Sequence, residues 1–124
     1  MKFILDTNFL MIPGQFKVDV YEQLRGFGKP DIYVIRQSVA ELEKLAKGRG
    51  KDAANARIAL LLVKREGVRI IPSGKGGADE AIRRLAKREG MVVCTADKKL
   101  KAGLRKRGIP VVSLRERKYL ALED

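Results

Sequence analysis

Histidine and tryptophan are absent from this 124-residue chain, and cysteine occurs once, at Cys94. Each gap removes a class of chemistry. Without histidine there is no imidazole general base, no Ser-His or Cys-His nucleophile pair and no imidazole metal ligand. A single cysteine makes neither an internal disulfide nor a zinc cage. Catalysis, where present, falls to carboxylates, lysines, hydroxyls or a hard cation held by oxygen. Long apolar runs are missing too. No stretch reaches the length needed to span a bilayer, and the first residues show no signal-peptide pattern.

What is present fits one globular domain over residues 1–124, with 45% apolar and 34% charged side chains. The net charge is +12, from 27 basic and 15 acidic residues, and it is unevenly spread. Residues 1–34 hold four basic and four acidic side chains, whereas residues 97–118 hold nine basic and two acidic ones. A basic surface of that strength suits a polyanion, most simply nucleic acid. Abundant Lys, Arg and Glu with few Asn and Gln is also the composition of a hyperthermophile protein.

Along the chain, short apolar runs alternate with amphipathic stretches. Phe3-Ile4-Leu5 reads as a strand buried on both faces, ending in the polar Asp6-Thr7-Asn8. Pro13-Gly14 signals a turn, and 18–27 an amphipathic helix. Ile32 to Ile35 is the second strand. A helix follows from Ser38, with Ser38-Val39-Ala40-Glu41 reading as a capping box. Lys51 to Arg65 is the longest helix, with Ala54, Ile58, Leu61 and Leu62 as its apolar stripe. Val68 to Ile71, Met91 to Thr95 and Pro110 to Ser113 are three more strands. They are separated by helices over 78–89, with Ile82, Leu85 and Ala86 buried, and over 98–106. The glycine-rich 73–77 matches no phosphate-loop pattern and reads as a flexible entry to the next helix. The tail from Arg115 reads equally as an edge strand or a dimer contact. Cys94, inside the fourth strand, reads as a small core residue.

This alternation predicts a three-layer α/β/α sandwich on a parallel sheet. Four acids then fall at one sheet edge. Asp6 and Asp97 close strands one and four, Glu41 lies early in the helix after strand two, and Asp79 opens the helix after strand three. Ligands of open α/β sheets bind at that edge, where strand order reverses. Singly, each acid reads as a turn residue or helix cap. Together, clustered carboxylates repel unless a cation neutralises them, and oxygen ligands without histidine suit Mg2+ or Mn2+.

Asp6-Thr7-Asn8 after an apolar strand, Glu41 within Ser38 to Leu42, Asp79 within Ala78 to Ile82, and Thr95-Ala96-Asp97-Lys98-Lys99-Leu100 together resemble a PIN-domain ribonuclease. The resemblance runs over essentially the whole chain. It implies a five-stranded parallel sheet of order 3-2-1-4-5, and Mg2+- or Mn2+-dependent endonucleolytic cleavage of RNA leaving a 5′-phosphate. It also implies Asp6, Glu41, Asp79 and Asp97 as metal ligands, with Asn8 and Thr95 orienting the first acid and the attacking water. Glu80, turned about 100° from Asp79 on a helix, stands as an outer candidate. Lys98, Lys99, Lys101, Arg105 and Lys106 are the expected RNA contacts. The family comprises toxin halves of toxin–antitoxin pairs and RNA-processing nucleases, and this chain looks closer to the rRNA-processing branch and its VapC-like archaeal relatives. The expected partners are therefore RNA, an antitoxin or a ribosome-assembly factor, and a second copy in a homodimer. The expected setting is the cytoplasm, away from membranes.

Rivals from other classes fit less well. A receiver domain needs an acid ending strand three, where Ile71-Pro72 stands, and a haloacid-dehalogenase-type phosphatase needs a second acid at Asn8. A non-catalytic RNA-binding α/β module is the alternative function, favoured if one of the four acids were missing.

Overall fold

In the computed structural model, which describes residues 1–123, six strands form one sheet in the order β3-β2-β1-β4-β5-β6. They are β1 (Lys2–Leu5), β2 (Asp31–Ile35), β3 (Arg69–Ile71), β4 (Val92–Cys94), β5 (Val111–Arg115) and β6 (Tyr119–Glu123). The first five run parallel, and β1 sits between β2 and β4, with Leu5 opposite Cys94. The order therefore reverses at β1, and the loops beyond β1 and β4 open on a shared crevice.

The sixth strand is a correction to the five-stranded expectation. The tail turns back on β5 as an antiparallel hairpin, with Val111 opposite Glu123 and Arg115 opposite Tyr119. The turn contains two successive left-handed residues, Glu116 and Arg117, at φ 53° and 55°. Hairpins of this kind favour Asn-Gly, and without that dipeptide the tail gave no turn signal. Its edge-strand reading is the one realised.

Among the described residues, seven helices cover the sheet: α1 (Thr7–Leu10), α2 (Ile12–Phe16), α3 (Val20–Arg25), α4 (Arg36–Ala46), α5 (Lys51–Arg65), α6 (Ala78–Glu89) and α7 (Lys98–Lys106). Alternate residues of β1 face opposite ways. Phe3 and Leu5 join the core with α1 to α5, and Ile4 joins the core with α6 and α7. This is the three-layer sandwich. Cys94 is fully buried within it.

Three local expectations change. The Pro13-Gly14 signal lies inside a helix, because proline is tolerated in the first turn of α2. The helix expected over 18–27 is shorter and is preceded by α1 and α2. On α5 the buried face is Ala53, Ala56, Ala59 and Val63, while Ile58 and Leu61 are 41% and 62% exposed. Small residues at this seam let α5 approach α4 and α2 closely. The approach is tight enough that a methyl group on Gly14 would sit 2.7 Å from the Asn55 side-chain oxygen.

The loop 73–77 is not a free entry to α6. Arg84 donates to the carbonyls of Ser73 (2.8 Å) and Lys75 (3.3 Å), laying the loop along the helix. Gly74 and Gly76 adopt φ of +75° and +93° with Arg84 and Glu80 against their backbones, positions where a side chain would be both strained and crowded. Among the described residues, no helix is long and apolar enough to cross a membrane.

Candidate active site

Parallel strands place the carboxyl end of each strand and the start of the following helix on one edge. That edge holds a cleft of about 320 Å³ lined by Asp6, Asn8, Ser38, Glu41, Asp79 and Asp97 together with apolar wall residues. The four acids named from the sequence thus share one cleft.

Asp6 is its buried floor, 5% exposed. It caps α1: its Oδ1 accepts the Phe9 N–H at 2.9 Å, and its other oxygen accepts the Thr95 hydroxyl. Burial pushes its pKa up to about 7, the hydrogen bonds from Thr95 and Phe9 oppose that rise, and the charges of Asp79 and Asp97 add to it. The turn and site readings of Asp6 are therefore one arrangement, since the cap holds the carboxylate in place.

Thr95 links two acids. Its Oγ1 also accepts the Asp97 backbone N–H at 3.0 Å. Asn8, through its side-chain oxygen, accepts the Ala96 N–H at 3.1 Å and ties the start of α1 to the β4 loop. Asp97 caps α7, with one oxygen accepting from Lys99 and Leu100 at 2.9 and 3.0 Å, and the residue lines the cleft.

Glu41 and Asp79 reach the cleft from helices and are exposed. The capping-box reading of Glu41 is corrected. Helix α4 begins at Arg36 with Ile35 as its cap, so Ser38 lies inside the first turn and Glu41 in the second. The stretch Tyr33 to Ile35 pairs with β3 and runs straight into the helix, leaving no separate cap residue. Asp79 likewise is not a cap, since Gly77 holds that position. With capping removed, Asp79 keeps only its place in the first turn of α6, where a negative charge complements the helix dipole. Glu80 faces away, into a neighbouring groove.

Among the described residues no three acids stand close enough to clasp an ion as they are placed. The donor set nevertheless fits a hard cation. It is oxygen-only, one member is buried and held by two donors, and two neighbouring carboxylates raise its pKa, a repulsion that a cation relieves. Exposed Glu41 and Asp79 side chains are free to close by rotamer change.

The expected RNA contacts divide. Lys98, Lys99 and Lys106 are exposed on α7. Lys101 and Arg105 instead turn to Glu123 on β6, which also pairs with Arg115 at 3.0 Å. Hydrogen bonds from Lys101 and Ser113, with the charges of Lys101 and Arg115, lower the Glu123 pKa to about 2.

Ser38 was missed as a cleft residue. It is 1% exposed, lines the cleft, and its hydroxyl has no hydrogen-bond partner among the described residues. Its spacing of three from Glu41 on one helix face was the available signal.

Comparison with known proteins agrees with this fold. Residues 3–117 match the family described as PIN like domain. Ribonuclease VapC9 of Archaeoglobus fulgidus is 37% identical over 121 residues, spanning 97% of this chain and 87% of that protein. The rRNA-processing protein fcf1 of Schizosaccharomyces pombe is 35% identical, spanning 93% of this chain and 59% of its own length. The solved structure of the PIN domain endonuclease Utp24 superposes with a TM-score of 0.81 at 33% identity, covering 98% of this chain and 90% of that one. On this family match, these relatives and the shared architecture, the chain belongs to the PIN-like domain family.

Proposed function

We propose that this protein is an endoribonuclease that hydrolyses RNA phosphodiester bonds with Mg2+ or Mn2+ held by Asp6, Glu41, Asp79 and Asp97. The observation that carries the reading is the single cleft shared by the four acids, with Asp6 buried between two donors at its floor. A divalent cation bound there supplies charge stabilisation at the phosphoryl oxygens and lowers the pKa of water.

The chain's own residues set the stage for that chemistry. Phe9 and Thr95 hold Asp6 in one orientation, so both of its oxygens keep fixed directions. Thr95 and Asn8 fix the backbone of 95–97 and hence the position of Asp97. Asp79 and Glu41, on separate helices, flank the cleft as exposed carboxylates that would complete the oxygen set around the ion. The burial of Asp6 keeps bulk water from competing at the floor of the site.

The named relatives include a VapC ribonuclease and an rRNA-processing protein. A toxin-type or a processing role both require the same cleavage. An antitoxin, a ribosome-assembly factor and a homodimer are the protein partners these roles bring, and the cytoplasm is where they meet RNA. A non-catalytic RNA-binding role is disfavoured by the complete acid set. The test is incubation of single-stranded RNA with the protein in Mg2+, Mn2+, Ca2+ or chelator. Internal cleavage is expected with the first two and none with chelator. Full activity in excess chelator removes the metal assignment.

A further inference from the structure

A second basic feature of the fold lies outside the acid cleft and off α7. Along the outer face of α6 runs a groove of about 640 Å³, lined by Arg83, Arg84, Lys87 and Arg88, with Arg107 and Ile109 opposite. Its acid is Glu80, beside Gly76 at the end nearer the cleft.

The groove is built. Arg84 pins the 73–77 loop along one end, and Lys87 donates to the Arg107 carbonyl at 3.4 Å across the other. Arg88 pairs with Glu89. Among the described residues, Arg83 and Arg107 have no carboxylate in ion-pair reach. The Arg83 Nε is shielded from solvent and has no hydrogen-bond partner among the described residues. A buried, unanswered guanidinium donor costs free energy unless an acceptor arrives. On α7, by contrast, Lys101 and Arg105 already share the carboxylate of Glu123.

We infer that this groove binds the phosphodiester backbone of single-stranded RNA and leads it to the acid cleft. Two placements favour RNA over an acidic protein segment. Helix α6 borders both sites, with Ala78, Asp79 and Ile82 lining the cleft and the next face lining the groove. The basic face from Arg83 to Arg88 also runs away from the cleft in line, about 7.5 Å along the helix axis, as a backbone track requires. Planar guanidinium groups suit phosphate oxygens. The inference rests on the endoribonuclease reading for what happens at the end of that track, but binding in the groove needs no metal.

The experiment measures affinity for a labelled single-stranded RNA of about twelve nucleotides, in chelator and across salt concentrations, for three proteins. Wild type is compared with R83E/K87E and with K51E/K64E, an equal charge reversal on α5. The groove variant is expected to bind roughly tenfold more weakly at moderate salt, with the log–log salt slope reduced by about 1.4, or 0.7 for each of two lost contacts. The α5 variant is expected to keep the wild-type slope. If R83E/K87E does not fold, R83Q/K87Q, which removes the charges without reversing them, is expected to lose the same slope. Unchanged affinity and slope in the folded groove variant overturn the proposal. So does displacement of the RNA by polyglutamate of equal charge with equal potency, which marks the groove as a seat for an acidic protein segment. Wild-type cleavage in Mg2+ is read in parallel. Cleavage with an unchanged groove-variant slope overturns the groove alone. A lost slope without any wild-type cleavage supports the groove and overturns the nuclease reading.

Discussion

The Thr95 hydroxyl donates to the carboxylate of Asp6 from 89 residues further along the chain, while its oxygen accepts the Asp97 N–H. One buried side chain thus sets the orientation of one acid and the backbone position of another. Thr95→Val keeps the volume and removes both hydrogen bonds. It is expected to destabilise the protein by about 1–3 kcal/mol in chelator and to lower RNA cleavage, whereas Thr95→Ser restores most of both. Thermal unfolding and a cleavage assay check this together. A Val variant with wild-type cleavage would mean that Thr95 is only a core residue.

Glu41 has no cap to make, because α4 begins five residues before it. Glu41→Gln is therefore expected to leave the metal-free protein as stable as wild type, or slightly more stable through relief of repulsion. Cleavage is expected to fall by about a hundredfold, equivalent to about 2.7 kcal/mol, with a smaller Mg2+-dependent rise in Tm. Near-normal cleavage with an unchanged Mg2+ shift would leave the site with three acids.

Glu123 gathers Lys101, Arg105 and Arg115 on the hairpin edge, and its pKa is lowered from 4.5 to about 2. A carboxylate with a depressed folded-state pKa contributes stability above its unfolded pKa and loses it as pH falls. Glu123→Gln is expected to cost about 1 kcal/mol at neutral pH, the order of a partly screened ion-pair network. The gap to wild type narrows as pH falls below 4.5 and closes near pH 2. Urea denaturation at several pH values measures it. A gap independent of pH would show that the ion pairs contribute nothing.

The strained turn offers an independent check on the sixth strand. Glu116 and Arg117 hold φ of 53° and 55°, which costs L residues about 1–2 kcal/mol each. Replacing them by Asn-Gly is expected to raise stability by about 1 kcal/mol net, since it also removes the Arg117 contact over the Phe16 ring. A loss of stability would argue against this hairpin turn.

The site and the sheet were legible for different reasons than the details that failed. Asp6 and Asp97 directly follow strands, and Asp79 and Glu41 lie in the first two turns of the helices after β3 and β2, so parallel topology alone brings them to one edge. Buried strands such as Phe3 to Leu5 announce themselves by composition. The α5 stripe misled because Ile58 and Leu61 are the larger apolar residues, while the close seam with α4 and α2 selects Ala53, Ala56 and Ala59. The capping box misled because Ser-x-x-Glu fits a helix start equally well when the helix has begun earlier. Neither the pairing of Lys101 with Glu123 nor the groove on α6 is visible from charge counts, since both depend on which face each helix presents.

The chemistry of the RNA ends tests the central claim most directly. RNA cleaved by wild type in Mg2+ or Mn2+ is expected to carry 5′-phosphate and 3′-hydroxyl ends, the products of water attack at phosphorus with the 3′-oxygen as leaving group, and chelator is expected to abolish those ends. Cleavage that persists in chelator and leaves 2′,3′-cyclic phosphates would show that the RNA's own 2′-hydroxyl is the nucleophile, and would contradict the four-acid site.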